Sequence, residues 1–287
     1  MEITVELINK SIRDPDYRYD GYTVQVENHR ILTVVSGWDH FVSKWIKQVS
    51  KTNNSASSSS SNSLIVGVSA DKQYVSGRKG SENYNPYNLL QLCVGSHCLL
   101  YHLPNPYDYC TCKALRNFFS NPKVIAVGVN IKHIAKQLEE EHEIKFKNVI
   151  DVSELAMKEV GKEFVNLNLS KFDLDKLAKA LLGKHKDVVR PEEKVEWFTK
   201  TPYCYMYEDP EMTDEKVKLA TVDAYLCFLM GWELFYNVDD CKLNVARALK
   251  DRMKKESKYP KKIQRKQKTK ILKRSMMMDY TVDDTYY

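Results

Sequence analysis

The run Leu64-Ile65-Val66-Gly67-Val68-Ser69-Ala70-Asp71 decides the fold of this chain. Its unbroken apolar start is typical of a strand buried on both faces, and its end is polar. Since alternate residues of a strand face the same side, Ser69 and Asp71 are expected to lie together beyond the strand's end. Open α/β sheets bind their ligands at that position. We therefore expect a functional site around these two side chains.

The composition indicates a folded protein without a membrane segment. The chain has 287 residues, of which 43% are hydrophobic and 11% aromatic, enough for a packed core. No stretch approaches the roughly 18 consecutive apolar residues of a membrane helix, and the N-terminus, with acidic Glu2, lacks a signal-peptide pattern. The odd number of cysteines, seven, favours reduced thiols. We expect a soluble protein of the nucleus and/or cytoplasm, with no membrane partner.

One short motif, Cys110-Thr111-Cys112, has the spacing of half a zinc site. Four tetrahedral ligands are needed for structural zinc, and no matching second pair of Cys or His follows in the sequence. We interpret these residues as ordinary loop cysteines.

The patterns on either side of the opening run predict an α/β domain with alternating strands and helices. In chain order, we predict a hairpin (22–26 with 31–35), a helix from 38, a Ser/Asn-rich loop up to 63, the central strand 64–71, an exposed loop 72–85, a second hairpin (87–94 with 98–103), a helix near 114–119, strand 124–129, helix 131–142, strand 149–150, helix 155–160, helix 174–182 and a helix from 214 to 230. Asp173 and Thr213 are the predicted N-caps of the last two helices.

Asp223 is the anomaly of the last predicted helix. The residues three and four positions to either side are apolar, so its carboxylate lies on the buried stripe. An unpaired carboxylate is costly there. Either a hydrogen-bonding partner satisfies Asp223, or the side chain points into a site.

The order of elements and several motifs resemble the Werner-type 3'-5' exonuclease domain of the DEDD superfamily, in its plant-like branch. The segments that carry the resemblance are Leu64 to Val68, Asn85 to Gly95 with Cys98 to Leu100, Val127 to Ile131, Asn148 to Asp151 and Val222 to Tyr225. The strand at 85–95 is the most specific of them. The likeness implies a ribonuclease H-like mixed sheet, a three-stranded antiparallel meander plus parallel strands, flanked by helices.

The sequence patterns and this resemblance together predict four parts of the chain. They are an N-terminal hairpin and helix packed on the core (1–50), the Ser/Asn-rich loop (51–63), the exonuclease-like domain (64–237), and a C-terminal helix end with a basic tail (238–287).

The family holds two Mg²⁺ or Mn²⁺ ions with four acidic residues, and a tyrosine orients the attacking water. Four of these five positions are changed in this chain. The first Asp falls on Ser69, the Glu on Asp71, the middle Asp on Ile134, the tyrosine on Leu219, and the last Asp on Asp223, which alone is unchanged. In addition, Asn130 stands where a glycine is usual.

These substitutions predict an impaired site. Hard divalent cations need negatively charged oxygen ligands, and Asp71 with Asp223 supplies at most half of the family's charge. We expect little or no metal binding, and a pseudo-exonuclease that binds nucleic acid or acts as a scaffold. One alternative is a metal-dependent 3'-5' exonuclease with residual activity on DNA or RNA ends. Another is a module that binds a protein partner without nucleic-acid contact.

The C-terminal segment is strongly basic. Residues 252–287 contain twelve Lys and Arg against four Asp and Glu, within a total net charge of +6. Such a run is either a solvated tail or a nuclear-localisation and phosphate-binding arm. The residues predicted to contact nucleic acid non-specifically are Lys261, Lys262, Arg265, Lys266, Lys268, Lys270, Lys273 and Arg274.

Overall fold

The fold is taken from a computed structural model of the chain. The structure describes residues 3–10, 19–26, 28–56, 63–72, 87–104, 111–161, 169–183 and 212–258. Residues Met1–Asn244 form one compact unit and Val245–Tyr287 a second. Of the second unit, the described part is helical.

In the part of the chain that the structure describes, eight strands form one mixed sheet. They are β1 (Thr4–Lys10), β2 (Asp20–Val26), β3 (His29–Ser36), β4 (Leu64–Lys72), β5 (Tyr87–Val94), β6 (His97–His102), β7 (Val124–Gly128) and β8 (Val149–Asp151). Their order in the sheet is β1-β2-β3-β6-β5-β4-β7-β8. Strands β4, β5 and β6 form the antiparallel meander, and β7 and β8 follow in parallel. The predicted mixed sheet is confirmed.

Seven α-helices accompany the sheet in the described residues. They are α1 (Asp39–Ala56), α2 (Lys113–Ser120), α3 (Ile131–His142), α4 (Val152–Glu159), α5 (Leu174–Leu181), α6 (Asp214–Tyr236) and α7 (Val238–Lys258). Among them, none combines the length and the apolar character that crossing a bilayer requires.

The main hydrophobic core lies between one face of the sheet and the first three helices. Val66 and Val68 of β4 pack in one buried cluster with Trp45 of α1, Leu115 of α2 and Leu138 of α3. Residues of opposite parity face the other side of a strand. Helix α6 therefore covers the opposite face, where Gly67 lies against its backbone.

The structure differs from the predicted elements in four places. Strand β1 was not predicted. Helix α1 continues to Ala56, into the predicted loop 51–63. The N-terminal hairpin extends the sheet through parallel pairing of β3 with β6, with Val34 beside Leu99, a pairing that was not predicted. Helix α7 is a full helix of 21 residues, where we expected only a helix end and a tail.

Candidate functional site

A cavity of about 450 Å³ opens where β4 ends, and it is lined by residues from five elements and one turn. Its described lining residues are Ser69, Ala70, Asp71, Tyr87, Val129, Asn130, Ile134, Asp173, Leu174, Asp175, Asp223 and Cys227. Four of the five predicted catalytic positions belong to this wall: Ser69, Asp71, Ile134 and Asp223. The structure therefore brings together residues that are up to 154 positions apart in the sequence.

Ser69 and Asp71 lie on β4, which pairs with β5 at these positions. In the antiparallel register, Ser69 is the direct partner of Gln91, whose side chain is fully buried. Gln91 Nε2 donates a hydrogen bond to Asp71 Oδ2. Gln91 was not predicted as a site residue, because cross-strand neighbours follow only from the register. Asp71 is therefore held by an amide of the next strand.

Helix α6 delivers Asp223 because it packs closely on β4. A Cβ at Gly67 would overlap the carbonyl oxygen of Ala224 and the backbone nitrogen of Phe228, so only glycine permits this approach. Asp223 is 4% exposed and forms part of the cavity wall. Of the two interpretations of this residue, the structure supports a position at the site, and the residue is not without a partner.

Cys227 lies one helical turn after Asp223 on the same wall. Burial raises the pKa of its thiol to about 12, with smaller contributions from the charges of Asp223 and Asp151. The thiol is therefore neutral at physiological pH, and a thiolate is needed for metal ligation or nucleophilic attack. Cys227 contributes packing and a weak donor to the wall.

The start of α3 places Ile134 where the resemblance puts a carboxylate. Asn130 begins the helix in the left-handed region, with φ of 56°, which asparagine tolerates better than most residues. The backbone nitrogen of Ile131 donates to Asp151 Oδ2 over 3.2 Å. Asp151 also caps α4 by accepting from Ser153 N. The Asp151 carboxylate thus accepts hydrogen bonds from the first turns of both α3 and α4. Ile134 is 7% exposed, and its side chain has no polar atom that could bind a metal ion.

Leu219 is the one predicted site position outside the cavity wall. It lies one turn before Asp223 on α6 and is 2% exposed, but it is not among the described lining residues. Its side chain is part of the core and has no hydroxyl group that could orient water.

Two carboxylates at the start of α5 were not predicted as site residues. Asp173 was recognised only as an N-cap, and it does accept from Lys176 N over 2.9 Å. Hydrogen bonds from Lys176 lower the pKa of Asp173. Asp175 Oδ2 pairs with Lys179 Nζ at 2.7 Å. No linear spacing connects these residues with Asp71, so the sequence carried no signal for their shared position.

Tyr87 closes the side of the cavity next to β5. Burial raises the pKa of its phenol to about 12, and the charges of Glu141 and Asp71 add to the effect. Lys72 Nζ lies 4.7 Å from the ring centroid, a distance typical of a cation–π contact. The Tyr87 carbonyl oxygen accepts from His142 Nε2 over 3.1 Å, and Tyr87 N donates to Glu141 Oε2 over 3.2 Å. The C-terminal end of α3 thus fixes the start of β5.

The residues present do not fit two divalent cations. Among the described residues, no three His, Cys, Asp or Glu side chains converge closely enough to hold a metal ion. Ser69 is a neutral ligand, Ile134 has no ligand atom, and Asp71 already accepts from Gln91. Two-metal sites need several carboxylates shared between ions about 3.5–4 Å apart. We therefore derive no catalytic step from metal ions at this site.

The other predicted ligands lie elsewhere. Cys112 is buried, with its Sγ directed at the Asp39 carbonyl oxygen at 3.9 Å, and Cys110 lies outside the described residues. The eight basic residues between Lys261 and Arg274 also lie outside the described residues. Their contact with nucleic acid stays a prediction.

Comparison with known proteins finds a similarity over part of the chain. Residues 68–206 match the family model described as 3'-5' exonuclease. Over these residues, just under half of the chain, the sequence is similar to the 3'-5' exonuclease family. Asp223 lies beyond the matched residues. The Werner-type, plant-like branch stays a prediction. Among the curated proteins compared, none matches the chain significantly.

Solved structures of exonucleases are similar at low identity. RNase D of Escherichia coli, an exoribonuclease involved in structured RNA processing, has a TM-score of 0.48 and 15% identity, with 74% of this chain and 49% of that chain covered. The catalytic core of RRP6 from Trypanosoma brucei has a TM-score of 0.46 and 11% identity, with 75% of this chain and 50% of that chain covered. The EXD2 exonuclease domain soaked in Mn and Mg has a TM-score of 0.33 and 19% identity, with 70% of this chain and 89% of that chain covered. This chain spans about half the length of the first two.

Proposed function

We propose that this protein binds nucleic acid, DNA or RNA, on a 3'-5' exonuclease-type domain whose hydrolytic site is impaired. One observation carries the proposal: Ser69 and Ile134 stand on the same cavity wall as Asp71 and Asp223. The wall of the site is thus retained, while two of its four metal-ligand positions carry a hydroxyl group and a hydrocarbon.

We expect impaired hydrolysis because the Ser69 and Ile134 positions lack negatively charged metal ligands. Without anionic ligands, a metal-bound nucleophile does not form, and losses of this kind typically lower rates by orders of magnitude. Binding does not need the ions, because Lys and Arg contacts to phosphates supply most non-specific affinity. The basic segment from Lys261 to Arg274 would provide those contacts, in the nucleus or the cytoplasm.

The alternative, residual metal-dependent exonuclease activity, is favoured by a specific observation. Asp71 and Asp223 both line the cavity, so two of the four carboxylate positions keep an acidic residue. A single weakly bound ion between them would support slow hydrolysis.

A digestion assay separates these two functions. End-labelled single strands and recessed duplexes of DNA and RNA are incubated with Mg²⁺ or Mn²⁺, and shortening is followed on denaturing gels. We expect no processive 3'-5' shortening by the full chain. Nucleotide release at the rate of an active exonuclease, abolished by Asp71→Ala, would establish the alternative. The same labelled strands, titrated at several salt concentrations, test the binding half of the proposal independently.

A further inference from the structure

One exposed face of helix α1 carries only basic side chains, three lysines and a histidine. They are His40, Lys44, Lys47 and Lys51. At about 3.6 residues per turn, these four positions fall within a sector of about 60° around the helix. The opposite face of α1 packs in the main core through Trp45. The four residues, here called the α1 stripe, therefore face solvent.

The helical layer that carries the α1 stripe is strongly basic. Helices α1 and α2 lie side by side, with the ring centroids of Trp45 and Phe118 6.2 Å apart. Together the two helices carry five Lys and Arg against one acidic residue, Asp39. Asp39 interacts with the buried Tyr101 side chain and lies about 100° around the helix from His40. It therefore does not interrupt the α1 stripe.

Lysines of other helices are paired with carboxylates. The described pairs on α3 and α5 are Lys132 with Glu154, Lys136 with Glu140, Lys176 with Asp173 and Lys179 with Asp175. Within the described part of the chain, Lys44 and Lys47 form no such ion pair. A surface with one sign of charge concentrates ligands of the opposite sign. The α1 stripe is therefore complementary to a chain of phosphates.

The α1 stripe begins at the same edge of the sheet as the cavity. Ser36, at the end of β3, lies in one row with Tyr101, Leu90 and Ala70 of the next three strands. Three strand spacings of about 4.8 Å place Ser36 about 14 Å from Ala70, which lines the cavity. Trp38 follows Ser36 by two residues and precedes α1 directly. A strand that reaches the cavity from this side passes the start of α1.

Aromatic rings surround the start of α1. Trp38 is 41% exposed. The rings of His40 and Phe41 meet edge to face, with centroids 5.2 Å apart, and Tyr19 packs on Phe41 at 4.3 Å. Proteins bind single strands by combining positive charge along the backbone with exposed rings on which bases stack. Bases of a duplex are already stacked on one another, so an exposed ring favours single strands.

We propose that the α1 stripe and Trp38 form a docking surface for single-stranded nucleic acid. Lys44, Lys47 and Lys51 contact phosphates, and the Trp38 ring stacks on a base. This inference rests on the proposed function, because it names a second surface for the same ligand besides the basic segment from 261 to 274.

Removing the lysine charges tests the docking surface. Fluorescence anisotropy of the full chain with a labelled single strand is measured at several salt concentrations. The variant carries Lys44→Gln, Lys47→Gln and Lys51→Gln together. We expect the slope of log affinity against log salt to become shallower by about 2, since each lost phosphate contact contributes about 0.7 for single strands. An unchanged slope would refute the proposal.

A matched variant controls for the loss of overall charge. It also removes three positive charges from exposed side chains, with Lys136→Gln, Lys145→Gln and Lys158→Gln on or near α3 and α4. We expect this control to keep the wild-type slope more closely than the α1 variant does. Equal changes in the two variants would reflect net charge alone and would overturn the proposal.

Trp38→Ala tests the stacking contact. We expect about tenfold weaker binding of a single strand, within the range of one lost base-stacking contact, and unchanged binding of a duplex. Trp232→Ala is the control, because Trp232 is also 41% exposed but lies near the end of α6. Undiminished single-strand binding by Trp38→Ala, or an equal loss for the duplex, would contradict the stacking role. Trp38→Leu replaces Trp38→Ala if the latter does not fold.

Two further measurements separate the possible ligands and the two proposals. Polyglutamate of matched charge and phosphatidylserine vesicles are titrated in the same way. Equal or tighter binding of either one through the α1 stripe would assign the surface to an acidic protein or a membrane, and would overturn the proposal. A wild-type chain that binds no nucleic acid would contradict the proposed function itself. Nucleic-acid binding that is identical in the wild type and both α1 variants would contradict this inference alone.

Discussion

Gly67 of β4 lies so close to Ala224 of α6 that a Cβ atom at Gly67 would overlap the Ala224 carbonyl oxygen. This contact sets the separation between the helix that carries Asp223 and the strand that carries Asp71. Gly231 of the same helix makes a similar close approach to the Val127 side chain. The site geometry thus depends on two residues that have no side chain.

Gly67→Ala is therefore expected to be strongly destabilising. Forcing an extra carbon into a packed contact costs about 1–3 kcal/mol, and here the obstacle is backbone. Urea denaturation measures the change. Gly161→Ala is the control, because its Cβ would meet only the flexible Met157 side chain, 3.2 Å from Sδ. Equal stability of the two variants would contradict the close approach of α6.

Ser69→Asp, Asp71→Glu and Ile134→Asp together are expected to create Mg²⁺ binding. All three positions line the cavity, and the changes supply the family's missing charge. A ligand at a hundredfold excess over its Kd stabilises a protein by about 2.7 kcal/mol, so the melting temperature should rise by several degrees with Mg²⁺. The wild-type chain should show no such rise. A folded triple variant without a thermal shift would argue against the assigned positions.

His142 makes stability depend on pH. Burial lowers the pKa of His142 below its ordinary value of 6.5, and its Nε2 donates to Tyr87 O while Nδ1 accepts from Thr111 Oγ1. Between the lowered pKa and 6.5 the unfolded chain binds more protons, so stability falls as the pH drops through this window. The contribution is at most about 1.4 kcal/mol per pH unit.

His142→Gln should remove this part of the pH dependence. The free energy of unfolding is compared for both proteins at pH 7.5 and 5.5. We expect the wild type to lose more stability than the variant over this interval. His133→Gln changes an exposed histidine of the same helix and serves as the control. Identical losses in the wild type and His142→Gln would exclude this role for His142.

Truncation after Lys258 should remove most nucleic-acid affinity at low salt. The cut follows the end of α7 and deletes all eight predicted contact residues. Each lost phosphate contact reduces the slope of log affinity against log salt by about 0.9 for duplex DNA. Fluorescence anisotropy at several salt concentrations measures the slope. A full-length chain with the eight residues changed to Gln controls for length, and an unaltered slope in either protein would place binding elsewhere.

Most of the sheet could be predicted from local patterns. Continuous apolar runs marked β4 and β7, and the turn at Gly95-Ser96 marked the hairpin of β5 and β6. Strand β1 was missed because it is an edge strand with adjacent exposed apolar residues, Leu7 and Ile8, and an irregular register after Leu7. The alternation of apolar and polar residues along β1 is therefore weak, and the strand forms because it pairs with β2.

The candidate site was only partly visible in the sequence. Ser69 and Asp71 followed from the end of the central strand, Asp223 from its position on a buried helical stripe, and Ile134 from the resemblance. Gln91 was hidden in an apolar strand, and its role depends on the β4–β5 register. Asp173 and Asp175 reach the cavity through the packing of α5, about one hundred residues after Asp71, and no period or motif encodes that proximity. Helix α7 was missed because its charged composition is typical of a solvated tail.

The parallel pairing of β3 with β6 has a consequence for choosing fragments of this protein. A piece cut to the matched residues 68–206 would lose β1, β2, β3 and α6. Strand β6 would then become an edge, with the fully buried Leu99 and Leu100 beside unpaired backbone groups. Exposed apolar edges recruit further strands and promote aggregation. Insolubility of such a fragment would therefore reflect an uncapped sheet rather than a defective domain.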